Sequence, residues 1–192
     1  MSFKTMIIAA AFTVSAGIAS AAGHAATGNP MVGGAPMLAT QNIVENAVNS
    51  ADHTTLVAAV KAAGLVDALM GPGPFTVFAP LNTAFDALPA GTVETLLKPE
   101  NKSQLQGILK AHVVSGKFKA KNIVALAKAN GGTADIQTVS GDTLTAVLSG
   151  DTLYVRDETG GLASVAIADI KKSNGVVHVV DKVLLPASDN AS

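Results

Sequence analysis

The hydrophobic period changes near the middle of the chain. In the first half, HTTLVAAVKAAGLVDALMG (53–71) places Leu56, Val60 and Ala63 on one helical face, at spacings of four and three. GTVETLLKPENKSQLQGILKAHVV (91–114) continues in helical style, with a new helix expected to start at Pro99. The second half has the shorter period of strands in ADIQTV, TLTAVLS, DTLYVRD, ASVAIAD and GVVHVVDKVLLP, separated by the turns SGDT, SGDT and ETGG. Helices followed by hairpins predict an α+β fold, with a helical layer packed on a largely antiparallel, twisted β-sheet.

Two apolar stretches of the chain carry the most information about the sheet. The last one is apolar on both faces from Val176 to Val180, so we expect it to be central and covered on both sides. The other, FTVFAPLNTAFDALP (75–89), begins as a strand and ends as a helix. Pro80 should end its ladder because proline lacks the N–H donor. Asn82 should accept an N–H at the start of the helix that follows, and Asp52 should do the same for the segment after it.

The N-terminus predicts export. One Lys is followed by the apolar, small-residue run IIAAAFTVSAGIASAAG, which is typical of a bacterial secretory signal peptide over residues 1–25, cleaved after Ala21 or Ala25. A membrane anchor is the alternative, but the run is shorter than the roughly 20 residues a spanning helix needs. We expect a flexible Gly- and Pro-rich lead-in over 26–38, one domain over 39–187 and a tail over 188–192.

Composition excludes several classes of partner and site. The chain has no Cys, so disulfides, thiolate nucleophiles and cysteine metal sites are excluded. After loss of the signal, with its single Lys, 12 basic and 14 acidic residues leave a net charge of −2. Nucleic acid is not an expected partner, because phosphate binding needs clustered Lys and Arg. We expect no membrane span in the mature chain, and a monomer.

The residue patterns that usually carry catalysis are missing. There is no GxSxG motif, and Thr83 lies inside a helix start, where a hydroxyl bonds backbone groups more often than it attacks a substrate. His53 is expected to be solvated or capping, and His112 and His178 to be buried with a bonded partner. No two of them have ligand spacing. We therefore expect no catalytic residue, no metal, no cofactor and no enzymatic activity.

Two stretches taken together carry a family resemblance. FTVFAPLNTAF and NGVVHVVDKVLLP, about 90 residues apart, resemble the two signature boxes of the fasciclin domain, and NKSQLQGILKAHVVSGKF is similar to the region between them. The resemblance covers about residues 39–187. It implies a mixed α and β extracellular module of small single-domain secreted type, whose first and last strands lie near each other. The matching positions, taken as mainly structural, are Phe75, Thr76, Val77, Phe78, Ala79, Pro80, Asn82, Phe85, Asn174, Gly175, His178, Asp181, Leu185 and Pro186.

The same resemblance supplies candidate adhesion residues. Animal members often carry Tyr-His between the boxes, where this chain has Ala111-His112, and an Asn-Lys-Asp-Ile motif, of which only Asp169 and Ile170 remain. No Arg-Gly-Asp sequence occurs. His112, Asp169 and Ile170 are therefore the candidates, although a strand end and a core residue explain Asp169 and Ile170 equally well.

Two functional hypotheses follow. The first is a non-catalytic module, secreted, periplasmic or on the cell surface, that attaches cells to a cell-surface or matrix protein or polysaccharide. The alternative is an exported carrier that binds a small apolar ligand between the helical layer and the sheet. An exposed patch would favour adhesion, whereas a deep, enclosed apolar pocket with a few polar groups would favour the carrier.

Overall fold

The computed structural model describes residues 29–186. The signal peptide, its cleavage sites and the tail over 188–192 lie outside the described residues. The described helices are α1 (Ile43–Ala47), α2 (Thr54–Ala63), α3 (Val66–Met70), α4 (Asn82–Asp86), α5 (Thr92–Leu96), α6 (Lys102–Ala111) and α7 (Ala120–Ala129), with 3₁₀ turns at Ala51–His53 and Pro99–Asn101. The strands are β1 (Met31–Val32), β2 (Ala35–Pro36), β3 (Phe75–Pro80), β4 (Val113–Ser115), β5 (Thr133–Gln137), β6 (Thr143–Ser149), β7 (Thr152–Arg156), β8 (Leu162–Lys172) and β9 (Gly175–Val180).

Seven strands form the main sheet, in the order β4-β3-β9-β8-β7-β6-β5. Every neighbouring pair is antiparallel except β3 and β9, which run parallel from Phe75 opposite Gly175 to Pro80 opposite Val180. The first and last predicted strands are thus direct neighbours, as expected. All six residues of β9 are buried, which agrees with its apolar pattern on both faces.

The two faces of the sheet bury two separate apolar clusters. The helical-side cluster packs the residues of α1, α2 and α6 against Val77, Ile170 and Val179. The α7-side cluster packs Ile123 and Ala127 of α7 against Phe78 and the inner faces of β5, β6 and β7. Alternation along β3 sends Val77 and Phe78 to opposite clusters, because successive side chains of a strand point to opposite faces.

Two elements differ from the sequence prediction. α7 was not expected, although Ile123 and Ala127, four residues apart, form its buried stripe. Residues Val113–Ser115, expected to continue a helix, form β4 instead and pair with β3. The helical pattern ends at Ala111 because the two β-branched residues after His112 are buried in strand geometry, where they pack well.

The expected flexible lead-in is ordered where the structure describes it. Met31–Val32 and Ala35–Pro36 pair as a short hairpin, and the side chains of Val32 and Met37 are buried in the helical-side cluster. The Gly33–Gly34 pair has positive φ at both residues, which a tight hairpin turn requires. The glycines of this segment therefore form a turn between two paired strands. The packed domain begins N-terminal to Ala39.

The helix caps also differ from the prediction. Asn82 does not cap its own helix: its Oδ1 accepts from the backbone N–H of Thr55 at 3.1 Å and from the Thr54 hydroxyl at 3.3 Å, and its Nδ2 donates to Ala51 O at 2.8 Å. It thus caps α2 from another part of the chain. Asp52 does not cap α2, because it lies within the 3₁₀ turn that precedes the helix.

Candidate functional site

A cavity lies between the helical layer and the sheet. Its volume is about 60 Å³. The floor is formed by sheet residues such as Val77, Ile170 and Val177, and the roof by Ile43, Leu56 and Val60 of the helices. The wall is almost entirely apolar, and it is the location at which the carrier hypothesis places a ligand.

Three residues of the cavity wall each have one buried polar atom without a hydrogen-bond partner. Among the residues that the structure describes, the unpaired buried side-chain atoms are Asn46 Oδ1, His53 Nε2 and Lys172 Nζ. Their side chains are 1%, 4% and 5% exposed, and all three belong to the cavity wall. A buried polar group without a hydrogen bond costs about 1–3 kcal/mol, so three around one cavity call for an explanation.

The backbone explains why each atom remains free. The Nδ2 group of Asn46 donates to Leu38 O at 3.0 Å and to Asn42 O at 2.9 Å, which leaves the amide oxygen unused. The Nδ1 atom of His53 lies 2.9 Å from Ser50 Oγ, and the ring also contacts the backbone of Ala79, although Nε2 makes no hydrogen bond of good geometry. Lys172 is the last residue of β8, and strand alternation places its side chain on the same face as Ile170.

The titratable side chains that line the cavity are all basic ones. Four titratable side chains line it, Lys61, His53, His112 and Lys172, and no Asp or Glu from the described chain does so. Burial lowers the pKa of Lys172 to about 8. Burial likewise lowers the pKa of His53, an effect that the neighbouring Asp52 charge partly opposes. The cavity therefore favours neutral or negatively charged groups over cations.

The predicted adhesion candidates are not surface residues of one patch. His112 is 2% exposed; its Nδ1 donates to Ile108 O at 2.8 Å and its Nε2 accepts from the N–H of Leu184 at 2.9 Å. Ile170 is 1% exposed and lies in the helical-side cluster. The conformation described offers neither side chain to an external partner, because packing on the sheet covers both.

Asp169 has a structural role that its sequence pattern did not reveal. Its Oδ1 accepts the backbone N–H of Ala120 at 2.7 Å, the first residue of α7, so Asp169 caps this helix from β8. Its φ of 59° is in the left-handed region, where Asp is better tolerated than most residues. The side chain is half-buried, so part of it still faces solvent.

His178 is partnered on both ring nitrogens. Nε2 donates to Phe118 O at 2.8 Å, and Nδ1 accepts from the backbone N–H of Asp169 at 3.3 Å. The ring stacks on Phe78, with centroids 5.5 Å apart. Burial lowers the pKa of His178, although Phe118 O and Asp169 oppose that shift. The sequence predicted that His53 is solvated or capping; instead it is buried and its side chain caps no helix.

The other signature positions connect the two boxes. Thr76 Oγ1 donates to Gly116 O at 2.7 Å and accepts from Phe118 N at 2.8 Å. Asn174 donates to Leu69 O and Gly71 O and accepts from Ile43 N, so one side chain fastens three segments. Gly175 lies so close to Phe75 O that a Cβ there would overlap it.

The remaining signature positions make hydrogen bonds or are buried in the fold. Asp181 Oδ1 accepts from Ser164 N at 2.7 Å, and the N–H of Leu185 donates to Asp157 Oδ2 at 3.0 Å. Phe85 is buried in the helical-side cluster, and Pro186 is buried at the end of the described chain.

Sequence reasoning missed the three residues with unpaired atoms. Asn46, His53 and Lys172 are polar residues on faces that are otherwise apolar. Only Lys172 carried a usable signal, since two-residue alternation from Ile170 places a lysine on the core face of β8. Nothing in the sequence brings Asn46 and His53 to the same cavity, because that requires the packing of α1 and the 3₁₀ turn on the sheet.

Two further observations concern other classes of site. Within residues 29–186, no group of three or more His, Asp or Glu side chains is arranged to hold a metal ion. No helix of that same part of the chain is long and apolar enough to cross a membrane.

Comparisons with known proteins identify the fold and the family. The fasciclin domain matches residues 51–186. The chain is 48% identical over 144 residues to protein sll1483 of Synechocystis, covering 75% of this chain and 73% of that protein. It is 37% identical over 145 residues to immunogenic protein MPB70 of Mycobacterium bovis, covering 73% and 66%.

A solved structure shows the same fold. It is a FAS1 domain pair from the insect cell adhesion molecule fasciclin I, with a TM-score of 0.68 and 16% identity over 79% of this chain. The match spans about half of that structure, 53% of its length. Together with the signature residues that join β3 to β9, these matches show that the chain belongs to the fasciclin domain family.

Proposed function

We propose that this protein is an exported, non-catalytic binding module that attaches cells to a cell-surface or matrix protein or polysaccharide. The observation that carries the proposal is the fold shared with a domain pair from a cell adhesion molecule. That likeness extends over 79% of this chain, so it includes both layers and not one motif.

Export is part of the proposal. The Lys4-plus-apolar N-terminus and the small residues before Ala26 support it. N-terminal sequencing of the protein from its native source should begin between residues 22 and 26. Recovery of a cytosolic form that retains Met1 would contradict export. Whether the protein stays in the periplasm, on the cell surface or outside the cell follows from fractionation of the same culture.

The contact surface of the module lies among exposed side chains. Because His112 and Ile170 are buried, we place the contact elsewhere, and Asp169 is the one original candidate with a solvent-facing part. An open groove lined by Met70, residues 71–74 and residues 173–175 lies where β3 and β9 begin. Met70 is 44% exposed there, which supports testing it as a contact residue.

Adhesion can be measured directly. Beads coated with the exported protein are offered cells and extracted matrix at low and high salt, with heat-unfolded protein as the control. Retention by folded protein alone, at both salts, is expected, since the net charge of −2 leaves specific contacts as the driving force. Absence of retention in every cell and matrix fraction would contradict the proposal.

Three variants locate the contact. Met70→Glu alters the groove, and Leu126→Glu makes the same change at an equally exposed position, 42%, on α7. Loss of retention in the first variant alone would place the contact at the groove. Full retention by Asp169→Ala, measured on protein with native circular dichroism, would remove Asp169 from the contact and leave it only its cap on α7.

The carrier hypothesis is the second candidate, and one observation favours it. The cavity lies between the helical layer and the sheet, has an apolar wall and is lined by three residues that each have an unpaired polar atom. An apolar wall with a few polar residues is typical of small-molecule sites, and a volume of about 60 Å³ restricts the ligand to a very small one. A small molecule that co-purifies at stoichiometric level, with no adhesion in the bead assay, would make the carrier function the main one.

A further inference from the structure

We propose that the cavity binds a small aliphatic monocarboxylate, with the carboxylate at Lys172 Nζ and the hydrocarbon against the apolar wall. This inference rests on the carrier candidate and is independent of adhesion. It assigns the ligand a chemical class, which the resemblance of the fold to other proteins does not provide.

The anionic end follows from Lys172. Its side chain is 95% buried, its ammonium has no hydrogen-bond or ion-pair partner among residues 29–186, and it lines the cavity. Lysine is almost never fully buried unless it is paired. A carboxylate in the cavity would supply both the missing charge and the missing acceptor, and the buried bond would be a charge-assisted one.

The other charged and polar groups of the wall are compatible with an anion. The titratable residues facing the cavity are Lys61 and His53 of the helical layer, His112 after α6, and Lys172 of β8. None of them is an acid, so a carboxylate meets no like charge. His53 Nε2 can donate when Nδ1 accepts the Ser50 hydroxyl, in competition with the nearby backbone of Ala79, and Asn46 Oδ1 requires a donor such as a water that accompanies the ligand.

The size of the cavity limits the hydrocarbon. Its volume of about 60 Å³ exceeds what one water needs, but it is less than half of the roughly 150 Å³ of an engineered cavity that binds benzene. Butyrate has as many non-hydrogen atoms as benzene, so the cavity encloses the carboxylate and first carbons of a short acid, and the rest of its chain lies in the entrance. The wall residues that solvent reaches lie on α1 (Val44, Ala47), α2 (Val57, Lys61) and α3 (Val66, Leu69), so we place the entrance among these three helices.

The direct test titrates carboxylates into the full exported chain, with isotope-labelled methyl groups observed by NMR. Acetate, butyrate, hexanoate and decanoate are compared. Saturable shifts of the methyl groups of Ile43, Val57 and Ile170, largest for butyrate or hexanoate, are expected. No shift of these methyl groups with any of the four acids would overturn the inference, and tightest binding by decanoate would overturn the size argument.

Matched variants test the role of the charge. Lys172→Met keeps the length and volume of the side chain and removes its charge, and we expect it to weaken butyrate binding at least tenfold. Lys171→Met makes the same change at the neighbouring exposed residue and should stay within twofold of the original protein. Lys61→Met tests the entrance in the same way. Equal binding by the original protein and Lys172→Met would overturn the assignment of the carboxylate.

A neutral ligand and a change of pH complete the test. Butanol should bind at least tenfold more weakly than butyrate. Equal affinity would overturn the inference, and the cavity would then be a site for neutral apolar ligands.

Because the free cavity holds Lys172 with a pKa of about 8, raising the pH from 7 to 9 should weaken butyrate binding about tenfold. His53 and His112 have lowered pKa values and stay neutral across this range. Lys172→Met should keep full retention in the bead assay, which separates this inference from adhesion.

Discussion

Two sets of buried polar side chains in this protein differ in how completely they are bonded. His112 and His178 use both ring nitrogens, one as a donor and one as an acceptor, so each is held as a neutral ring. Three other buried side chains, Asn46, His53 and Lys172, line the same cavity as His112, and each leaves one atom without a hydrogen-bond partner. Both sets are at least 95% buried, so burial does not distinguish them.

The difference indicates two kinds of role. A fully bonded buried group joins parts of the chain that are distant in sequence, as His112 joins α6 to the segment at Leu184. It contributes to a unique packing, and all of its hydrogen-bonding atoms are in use, so none is available to a ligand. A buried group with a free atom lowers stability unless something else bonds it. We therefore regard the two histidines as structural, and the cavity as the place where we propose that a ligand binds.

The largest expected effect is that of His178→Ala. The substitution leaves Phe118 O and Asp169 N without partners and removes the ring that stacks on Phe78. We expect a loss of about 4 kcal/mol in the free energy of unfolding, measured by urea denaturation. His53→Ala is the matched control and should cost less, because it removes one side-chain hydrogen bond, to Ser50, and a weak contact with the Ala79 backbone. Equal losses in both variants would remove the distinction between the two sets.

The pH dependence of stability should show the same distinction. His112 has a folded pKa of about 4, lowered mainly by burial, below its unfolded value of 6.5. The unfolded chain then binds more protons between these values, so the contribution of His112 is complete above pH 6.5 and lost as the pH falls toward 4. It amounts to about 3 kcal/mol. Burial also lowers the pKa values of His178 and His53, so these residues likewise contribute less to stability as the pH falls.

Urea denaturation at pH 7.5 and pH 4.5 checks this slope. Carboxylates also titrate in this window, so the same measurement on His112→Phe isolates the histidine. The variant should lose less stability between the two pH values than the original protein does. An identical slope in both would show that His112 is not the group responsible.

A smaller effect is expected for Asn82→Ala. The side chain caps α2 at Thr55 and holds Ala51, so its loss should cost about 1 kcal/mol, a typical value for an N-cap. Asn49→Ala serves as the control, because Asn49 bonds only Glu45 O on the surface. Thermal unfolding followed by circular dichroism gives both values. If the two variants lose equal stability, the cap across segments contributes nothing.

The smallest effect is expected for Lys172→Met without any ligand. Removing an unpartnered buried ammonium and keeping an apolar stem of similar size should leave stability unchanged or raise it slightly, since the charge has no bond to lose. Calorimetry of both proteins, stripped of small molecules by refolding, gives the comparison. A clear loss of stability would show that Lys172 has a partner in solution. Lys172 would then belong with His112 and His178, the side chains whose polar atoms are all bonded.

The strongly periodic parts of the fold followed from the sequence. The strand TLTAVLS has the bounds Thr143–Ser149 that its pattern indicates, and the uninterrupted apolar run at Val176–Val180 is the buried β9. The hydrophobic pattern did not lead us to predict α7, and the helix before β4 was predicted to extend too far. Short segments such as Val113–Ser115 have too few residues to show a period, and their partner strand decides their conformation.

The candidate site could be predicted only in its general location. The sequence indicated a helical layer on a sheet, and hence the one interface where an enclosed pocket could form. It gave no reason to associate Asn46 with Lys172, which are separated by more than half of the chain. The adhesion candidates His112 and Ile170 were chosen by resemblance, and burial removed them from the surface, because a motif does not specify which face of an element is covered.

The sequence by itself determined the α+β class, the strongly periodic helices and strands, the central position of β9 and, through its two signature boxes, the family. These properties depend on local pattern, because the side-chain period decides the element and the apolar faces decide what is buried. Only the tertiary structure decided the bonding of the polar side chains. Asn82 caps a helix that precedes it, Asp169 caps one from a neighbouring strand, and Lys172 is left unpaired beside a cavity. Such bonds join residues distant in the chain, so they exist only once the layers have packed.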